Sequence, residues 1–496
     1  MKNLITFYEE YKTKVNAYNY ALSSIYFDQA TIAPKDGIPY ANEVVALLSG
    51  ELFTYSTDPK NISKIEQLYT QINDPIQKKE IKLRLHDLHQ ISKLPKEVYV
   101  DFQKTIAECQ YVWEEAKATN DYEKFKPYLI KLIEKRKQML TYFNITGSAY
   151  DYLLDQFQEG MNKEKYDAFF NEIKKYLIPL INEIKEKGKK IDHTPLFKNF
   201  NVDDQIKFTN AIKESLQINA RTCYLCESVH PFTSFFSQND ARITTRYLKN
   251  NVMSAIFATI HEYGHALYGL QVNPTFENTT FSSEIGFAMH ESQSRLMENH
   301  IGRNPAFWEV NYPKLQSLFP KQLNNISYAS FMDMINVSSP SLIRIEADEL
   351  TYPLHILIRY ELEKEIFDGN LNCDQLDQLW ADKYEEYLGV RPATAAEGIL
   401  QDMHWSAAYF GYFPTYALGS AFAAQFYHQL EQDIDVNAAL KNNEFEKIAE
   451  WLKVNIHQYG ASKTFDELLL DVTKETFNPN YYIEYLTKKY RKIYEL

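Results

Sequence analysis

The sequence predicts a mainly α-helical protein, and two observations support that prediction. The 496 residues include 15 Gly and 18 Pro, while 45% are hydrophobic and 24% are charged. A low content of turn-forming residues, together with this balance of hydrophobic and charged residues, is typical of long helices. Apolar residues also recur at intervals of three and four along the first helix, at Leu4, Phe7, Tyr11, Val15, Tyr18 and Leu22. That spacing places them on one face of a helix.

Further helices are expected through the first 200 residues. The turn sequence APKDGIPY (33–40) ends the first helix, because Pro and Gly interrupt helical hydrogen bonding. Helical patterns follow in EVVALLSGELF (43–53), IKLRLHDLHQ (81–90), TIAECQYVWEEAKA (105–118) and YDAFFNEIKKYLIPLINEIKEK (166–187). The segment NDARITTRYL (239–248) instead alternates apolar and polar residues and includes β-branched ones, so it predicts an edge strand.

The chain shows no fixed-period repeat and no Gly/Ser-rich or Pro-rich linker that would mark a domain boundary. We therefore expect one domain over residues 1–496. The alternative is a two-lobed arrangement, with a helical part at 1–220 and a second part at 221–496. Seven of the 12 histidines lie between residues 230 and 404, so a functional site is expected there.

Composition excludes several classes of function. The net charge of -13, with no long Lys/Arg run, argues against a nucleic-acid partner. The N-terminal sequence lacks the apolar run of a secretory signal, and no window approaches eighteen apolar residues. The four cysteines suggest no disulfide framework, and the C-x-x-C pair Cys223 and Cys226 is interpreted as incidental. We therefore expect a cytoplasmic protein that does not associate with membranes.

The segment IFATIHEYGHALYGL (256–270) contains the pattern H-E-x-x-H. On a helix, the four-residue spacing places His261 and His265 on one face, where one metal ion can bridge them. Glu262 can then take a proton from water on that ion. An accidental match is the alternative, but the surrounding apolar pattern indicates a buried helix, where imidazoles without partners would be costly.

A catalytic zinc site needs three protein ligands and one open position. The third ligand is expected in AMHESQSRLMENH (288–300), on a second helix that packs against the first. Glu291 is the first candidate. His290 and Glu298 are rivals, because the sequence does not fix the rotation of this helix.

Together these segments resemble the M32 family of metallocarboxypeptidases, which includes the bacterial thermostable carboxypeptidases. The matching segments are HEYGH (261–265), HESQS (290–294), HPF (230–232), DARIT (240–244), IRIEAD (343–348), GILQDMHW (398–405) and FGYFPTYALG (410–419). The similarity extends to YFDQAT near the N-terminus. There the family commonly has Trp before the Asp, whereas this chain has Phe27 before Asp28.

The resemblance implies a hydrolase that releases single residues from peptide C-termini. It implies zinc, for which cobalt can substitute, held by His261, His265 and Glu291, with Glu262 as general acid and base. The implied fold is a helical zincin of the gluzincin type, shaped around a long groove with a small sheet near the metal. The family is usually homodimeric.

A carboxypeptidase must also recognise a free carboxylate, which the forked guanidinium of an arginine binds well. The candidates are Arg242, Arg246, Arg344 and Arg359, and the resemblance favours Arg344 first and Arg242 second. Arg344 is expected in an apolar helical segment, held by an acid until substrate arrives. A structural ion pair is the alternative for each arginine.

Three further features are candidates for substrate contact. A strand edge at NDARITTRYL could align the substrate backbone by strand addition. His230 could close one end of the groove, or could sit in a plain turn. His404, Tyr412 and Tyr416 are candidate donors to the oxyanion of the reaction, with Asp402 orienting His404. The alternative is that these groups are buried structural ones.

Two other functions stay open at this point. An oligopeptidase that cuts inside short peptides shares the metal motif but needs no free C-terminus. A non-enzymatic helical protein that binds peptides would hold a structural metal with a fourth protein ligand. The side-chain preference of the cleavage site does not follow from the sequence.

Overall fold

The computed structural model describes residues 1–283, 286–369 and 371–496. Within these ranges the protein is mainly helical with one small sheet, as the sequence predicts. The first half contains α1 (Lys2–Thr31), α2 (Ile38–Ser56), α3 (Pro59–Gln71), α4 (Pro75–Ser92), α5 (Lys96–Thr119), α6 (Tyr122–Leu140), α7 (Ala149–Phe157), α8 (Lys163–Lys187) and α9 (Val202–Ser215). The four helical segments predicted after the first turn lie inside α2, α4, α5 and α8.

Side-chain caps define where several of these helices begin. Asp58, Asp74, Asp121 and Asn162 each accept a hydrogen bond from a backbone N–H in the first turn of α3, α4, α6 and α8. These N–H groups have no partner within the helix, so the caps satisfy them and stabilise the helix start.

A three-stranded sheet follows α9. It contains β1 (Cys223–Glu227), β2 (Thr233–Ser237) and β3 (Asp240–Thr245) in the order β1-β3-β2. β3 pairs in parallel with β1 and antiparallel with β2. The prediction of an edge strand at 239–248 is therefore wrong, because β3 is the central strand. The alternation of apolar and polar residues indicates which face of a strand is buried. It does not indicate whether the strand pairs with one neighbouring strand or with two.

The second half is helical again. It contains α10 (Val252–Gln271), α11 (Thr280–Ser283), α12 (Phe287–Arg295), α13 (Pro305–Leu318), α14 (Pro320–Leu323), α15 (Tyr328–Ile335), α16 (Tyr352–Phe367), α17 (Leu376–Leu388), α18 (Pro414–Asp433), α19 (Val436–Lys441), α20 (Phe445–Asn455), α21 (Phe465–Thr473) and α22 (Asn480–Tyr494). A π-helical turn, Leu296–Ile301, continues directly from α12. Among the described residues, no helix is both long enough and apolar enough to cross a membrane.

The buried apolar residues form a large core and a smaller one. The large core extends from Leu94 to Tyr494 and includes residues on both sides of position 220. The smaller core joins α1, α3 and α4 through residues such as Tyr11, Leu68 and Ile81. The N-terminal helices therefore pack mainly among themselves, while α5 to α10 and α12 to α22 share one interior with the sheet.

Two glycines allow α12 to lie unusually close to its neighbours. A Cβ atom on Gly264 of α10 would lie 2.5 Å from the Cα atom of Ser294 in α12. A Cβ atom on Gly419 of α18 would lie 2.7 Å from the Cβ atom of Glu291. Real side chains do not tolerate such distances, so only glycine allows α12 to fit between α10 and α18 at this spacing.

We predict that Gly264→Ala destabilises the protein although alanine favours a helix. The added methyl group meets backbone that cannot move aside, which costs about 1–3 kcal/mol in a packed core. Gly50→Ala is the matched control, because Gly50 lies inside α2 with open space around it. The control should gain about 0.5–1 kcal/mol. Thermal unfolding followed by circular dichroism at one scan rate checks the order, and a Gly264→Ala melting temperature at or above that of the control would contradict it.

Candidate metal centre and active site

Three side chains that the sequence singled out meet between α10 and α12. His261 and His265 project from α10, and Glu291 projects from α12. The Nε2 atoms of His261 and His265 lie 3.9 and 3.6 Å from Oε2 of Glu291. All three ligand atoms lie within 4.8 Å of one another. Two metal bonds of about 2.0–2.2 Å at a tetrahedral angle separate ligand atoms by roughly 3.3–3.6 Å, so one ion fits this group with small adjustments.

The rival ligands His290 and Glu298 lie behind the two histidines. Glu298 Oε2 is 2.9 Å from Nδ1 of His261, and Nδ1 of His290 is 2.9 Å from Nδ1 of His265. Both contacts use the ring nitrogen that faces away from Glu291. They therefore leave Nε2 of each histidine directed toward the shared carboxylate, which is the arrangement that outer hydrogen-bond partners impose on metal-binding histidines.

Arg295 connects the carboxylates of this group. Its Nε donates to Oε1 of Glu291 at 2.6 Å, and its NH1 donates to Oε2 of Glu298 at 3.2 Å. Burial by itself lowers the pKa of His261, but Glu291 and Glu298 outweigh burial and raise that pKa above its usual value. Two buried carboxylates that share Arg295 thus lie beside His261.

Glu262 lies beside the three candidate ligands and is held by the sheet. It is buried, and its Oε2 accepts a hydrogen bond of 2.6 Å from the hydroxyl of Thr233 in β2. The same hydroxyl lies 3.0 Å from the backbone carbonyl of Glu262. Burial raises the pKa of Glu262. Thr233 thus fixes one carboxylate oxygen, a role that the sequence analysis missed although Thr233 directly follows the HPF segment.

Arg344 belongs to a buried pair of arginines that share one acid. Oδ1 of Asp402 accepts from Nε and NH2 of Arg344 at 3.0 and 2.8 Å, and Oδ2 accepts from Nε of Arg359 at 2.7 Å. Arg344 is 6% exposed and Arg359 is fully buried. Burial raises the pKa of Asp402, but both guanidinium groups outweigh burial and hold it well below its usual range.

The local structure around Arg344 differs from the prediction. Arg344 lies in a 3₁₀ turn, Arg344–Glu346, and not in an α-helix. The acid that holds it is Asp402, 58 residues further along the chain. The NH1 group of Arg344 also donates to the hydroxyl of Tyr352 at 3.3 Å, and the Tyr352 ring lies 4.4 Å from the guanidinium carbon of Arg295. Tyr352 and Arg295 thus link Arg344 to Glu291.

His404, Tyr412 and Tyr416 lie together near these groups, but Asp402 does not orient His404 by a hydrogen bond, contrary to the prediction. Both Asp402 oxygens already accept from arginines, and Nε2 of His404 lies 3.2 Å from the Tyr416 hydroxyl instead. Burial and the charge of Arg344 lower the pKa of His404 to about 3. His404 is therefore neutral at physiological pH.

The remaining candidates lie on and before the sheet. Arg242 in β3 pairs with Asp240 at 2.7 Å and stacks 3.9 Å above the ring of Phe236. His230 is exposed in the bend before β2. Arg246 is exposed and donates to the backbone carbonyl of Val229 at 3.3 Å. Arg242 is thus already paired, whereas Arg344 and Arg359 share one carboxylate.

Comparisons with known proteins identify the family of the chain. The sequence model of the Carboxypeptidase Taq (M32) metallopeptidase family matches residues 7–490. Carboxypeptidase 1 of Bacillus subtilis is 38% identical over 486 residues, which cover 97% of each chain. Thermostable carboxypeptidase 1 of Thermus thermophilus is 32% identical over 508 residues, covering 99% of this chain and 98% of that protein.

The fold also matches a solved relative. The solved structure of a carboxypeptidase from Pyrococcus furiosus superimposes with a TM-score of 0.95 at 32% identity, and the match covers 99% of each chain. The sequence therefore matches the family over residues 7–490, and the fold matches a solved relative over 99% of the chain. The chain belongs to the M32 metallopeptidases and is a metallocarboxypeptidase.

Proposed function

We propose that the protein is a zinc-dependent carboxypeptidase that releases single residues from the C-termini of peptides. His261, His265 and Glu291 hold the metal, and Glu262 is the general acid and base. The observation that supports this proposal most directly is the convergence of three ligand atoms within 4.8 Å, with Glu262 on the same helix as two of them.

The donor set favours zinc. Two imidazole nitrogens and one carboxylate oxygen suit this borderline ion, and a three-ligand site leaves one position open for substrate or water. Cobalt prefers similar ligands and is the expected substitute. When bound, the metal supplies Lewis acidity, which polarises the peptide carbonyl and makes water more acidic.

Glu262 moves the proton. As water attacks the last peptide carbonyl, Glu262 accepts a proton from that water, and it returns the proton to the nitrogen when the C–N bond breaks. The products are a shortened peptide and a free amino acid. Because Thr233 holds Oε2 at 2.6 Å, the carboxylate keeps one orientation through both transfers.

Arg344 is the proposed anchor for the substrate carboxylate. The buried set of Arg344, Arg359 and Asp402 carries two positive charges and one negative charge, with His404 neutral beside it. Uncompensated buried charge is costly, so a single further anion stabilises this set. The C-terminal carboxylate of a peptide supplies that anion. Arg242 remains the second candidate, although Asp240 already pairs with it.

Tyr412, Tyr416 and His404 are the proposed donors to the oxygen that gains negative charge during the reaction. The two tyrosine side chains are partly exposed, and Tyr416 lies 5.1 Å from the guanidinium carbon of Arg344. A hydroxyl aimed at the developing charge lowers the barrier without further rearrangement. Tyr416 is the stronger candidate, because His404 contacts its hydroxyl at 3.2 Å and can position it.

β2 and the preceding bend form the proposed far wall of the substrate groove. β2 lies at the margin of the sheet and contacts Glu262 through Thr233, so its backbone can align a peptide by strand addition. His230 and Arg242 would then limit how far the peptide extends. A cytoplasmic homodimer stays a prediction.

Glu262→Gln should keep the metal and lose nearly all turnover, because the amide retains the shape of the side chain but cannot accept the proton. We expect kcat to fall about 10²–10⁴-fold, the usual contribution of a general acid or base. Elemental analysis and steady-state kinetics check both parts. Glu97→Gln, an exposed carboxylate on α5, is the control. Retained activity with bound metal would refute the proposed role.

Removal of the metal should abolish amino-acid release, and zinc should restore it. The companion substrate is the same peptide with its C-terminal carboxylate amidated, which cannot pair with Arg344. We expect timed release of single residues from the free peptide and no release from the amide. Internal cleavage of both peptides would establish the oligopeptidase instead.

Arg344→Lys should raise KM and lower kcat/KM about 10- to 100-fold, although it preserves the charge. A lysine cannot bind both carboxylate oxygens, and a charged hydrogen bond contributes about 1.5–3 kcal/mol. Arg221→Lys, at an exposed position before β1, is the matched control. Unchanged kinetics of Arg344→Lys would place the carboxylate anchor elsewhere.

A further inference from the structure

A cluster of four aromatic rings borders the proposed active site. We call it the aromatic shelf, and it consists of Phe157, Phe287, Tyr409 and Tyr412. Phe157 lies 5.6 Å from Phe287 and 5.3 Å from Tyr412, and Phe287 lies 5.2 Å from Tyr412, as ring centroids. Tyr409 lies 5.9 Å from Tyr412. Phe287 and Tyr409 are each 48% exposed. The shelf therefore presents aromatic surface to solvent.

The shelf is continuous with groups already placed in the site. Phe287 lies four residues before Glu291 on α12, so the two side chains occupy the same face one turn apart. Tyr412 lies 5.1 Å from the ring of Tyr416, which in turn lies 5.1 Å from the guanidinium carbon of Arg344. A wall of rings thus leads from the proposed carboxylate anchor to the shelf.

The backbone that holds the shelf is fixed by a buried carboxylate. Glu363 of α16 is fully buried and accepts hydrogen bonds of 2.7 Å from both Nε1 of Trp405 and the backbone N–H of Gly411. The hydroxyl of Tyr150 donates to it at 2.9 Å. These bonds hold the segment that contains Tyr409 and precedes Tyr412, so the shelf exists before a ligand binds.

Single exposed apolar residues are ordinary on protein surfaces and need no explanation. Four rings in mutual contact beside a reaction centre are different, because they offer one uncharged surface of useful size. Apolar and aromatic side chains stack well on such rings, whereas a charged side chain would lose hydration there and would meet no opposite charge among the four rings.

We propose that the aromatic shelf is the subsite for the side chain of the C-terminal residue and selects aromatic and branched apolar residues. This inference rests on the proposed function, with Arg344 as the carboxylate anchor. The residue whose carboxylate binds Arg344 has Tyr416 beside it and Tyr412 one ring further, so its side chain can reach the shelf. Phe287 and Tyr409 then determine the preference without taking part in the chemistry.

The test uses two pairs of peptides. Members of the first pair differ only in a C-terminal Phe or Ala, and members of the second differ in the same way at the penultimate residue. The measured quantity is the ratio of kcat/KM for Phe over Ala within each pair. In Phe287→Ser and Tyr409→Ser we expect the ratio for the first pair to fall about five- to tenfold, the size of one lost aromatic contact. Phe287→Leu should retain part of it.

Tyr111→Ser is the matched control, because Tyr111 is 63% exposed on α5 outside the shelf. It should leave the ratio unchanged. Melting temperatures show whether each variant folds. If Phe287→Ser fails to fold, the ratio measured for Tyr409→Ser, a substitution at an exposed position, tests the proposal instead.

An unchanged ratio in both shelf variants would overturn the proposal, as would a change confined to the penultimate pair. A shelf variant that alters the oligomeric state but not the ratio would show that a second copy of the chain covers these rings, which also overturns it. Release of terminal residues by the unaltered enzyme separates the two proposals. If release occurs and the ratio does not respond, the shelf assignment fails while the carboxypeptidase proposal stands.

Discussion

The close approach of α12 to α10 and α18 is the constraint on which the rest of the site depends. Gly264 faces the backbone of Ser294, and Gly419 faces the side chain of Glu291, at distances that no Cβ atom would permit. The side chain of Glu291 is short, so it reaches only a limited distance from α12 toward α10. A wider spacing of α12 from α10 would move this carboxylate away from the two histidines, whose Nε2 atoms lie 3.9 and 3.6 Å from it. The same spacing brings Arg295 and Glu298 behind the ligands. The packing of α12 against α10 and α18 thus determines where the candidate ligand side chains lie.

The two buried halves of the site differ in their balance of carboxylate and guanidinium groups. Around the proposed metal ligands, Glu291 and Glu298 both pair with Arg295, and His261 takes part in the same network. Around Arg344, two guanidinium groups share the single carboxylate of Asp402. This difference supports the proposal of a cation site in the first half and an anion site in the second. In the proposed function, a peptide terminus that bridges the two halves would meet opposite charges at its last carbonyl and its carboxylate, which would favour one direction of binding.

Local patterns predicted the parts of the site that depend on local geometry. The four-residue spacing of His261 and His265 fixes their common face on any helix, and the helices predicted along the chain are present. Contacts between distant segments were not predictable in this way. The pairing of Arg344 with Asp402 joins positions 58 residues apart, and the central place of β3 depends on β1 and β2 folding against it. Asp402 lies two residues from His404, yet its hydrogen bonds go to arginines, because proximity in sequence does not set side-chain direction in an irregular segment.

The contact between His265 and His290 has a consequence for proton placement. The two Nδ1 atoms lie 2.9 Å apart, so exactly one of them can carry the hydrogen of that bond. A histidine that gives Nε2 to a metal must keep its hydrogen on Nδ1. With Nε2 of His265 as a proposed metal ligand, the hydrogen of this bond would lie on Nδ1 of His265, and a neutral His290 would then carry its own hydrogen on Nε2. The proposed metal site and the tautomer of His290 would thus be coupled through one hydrogen bond.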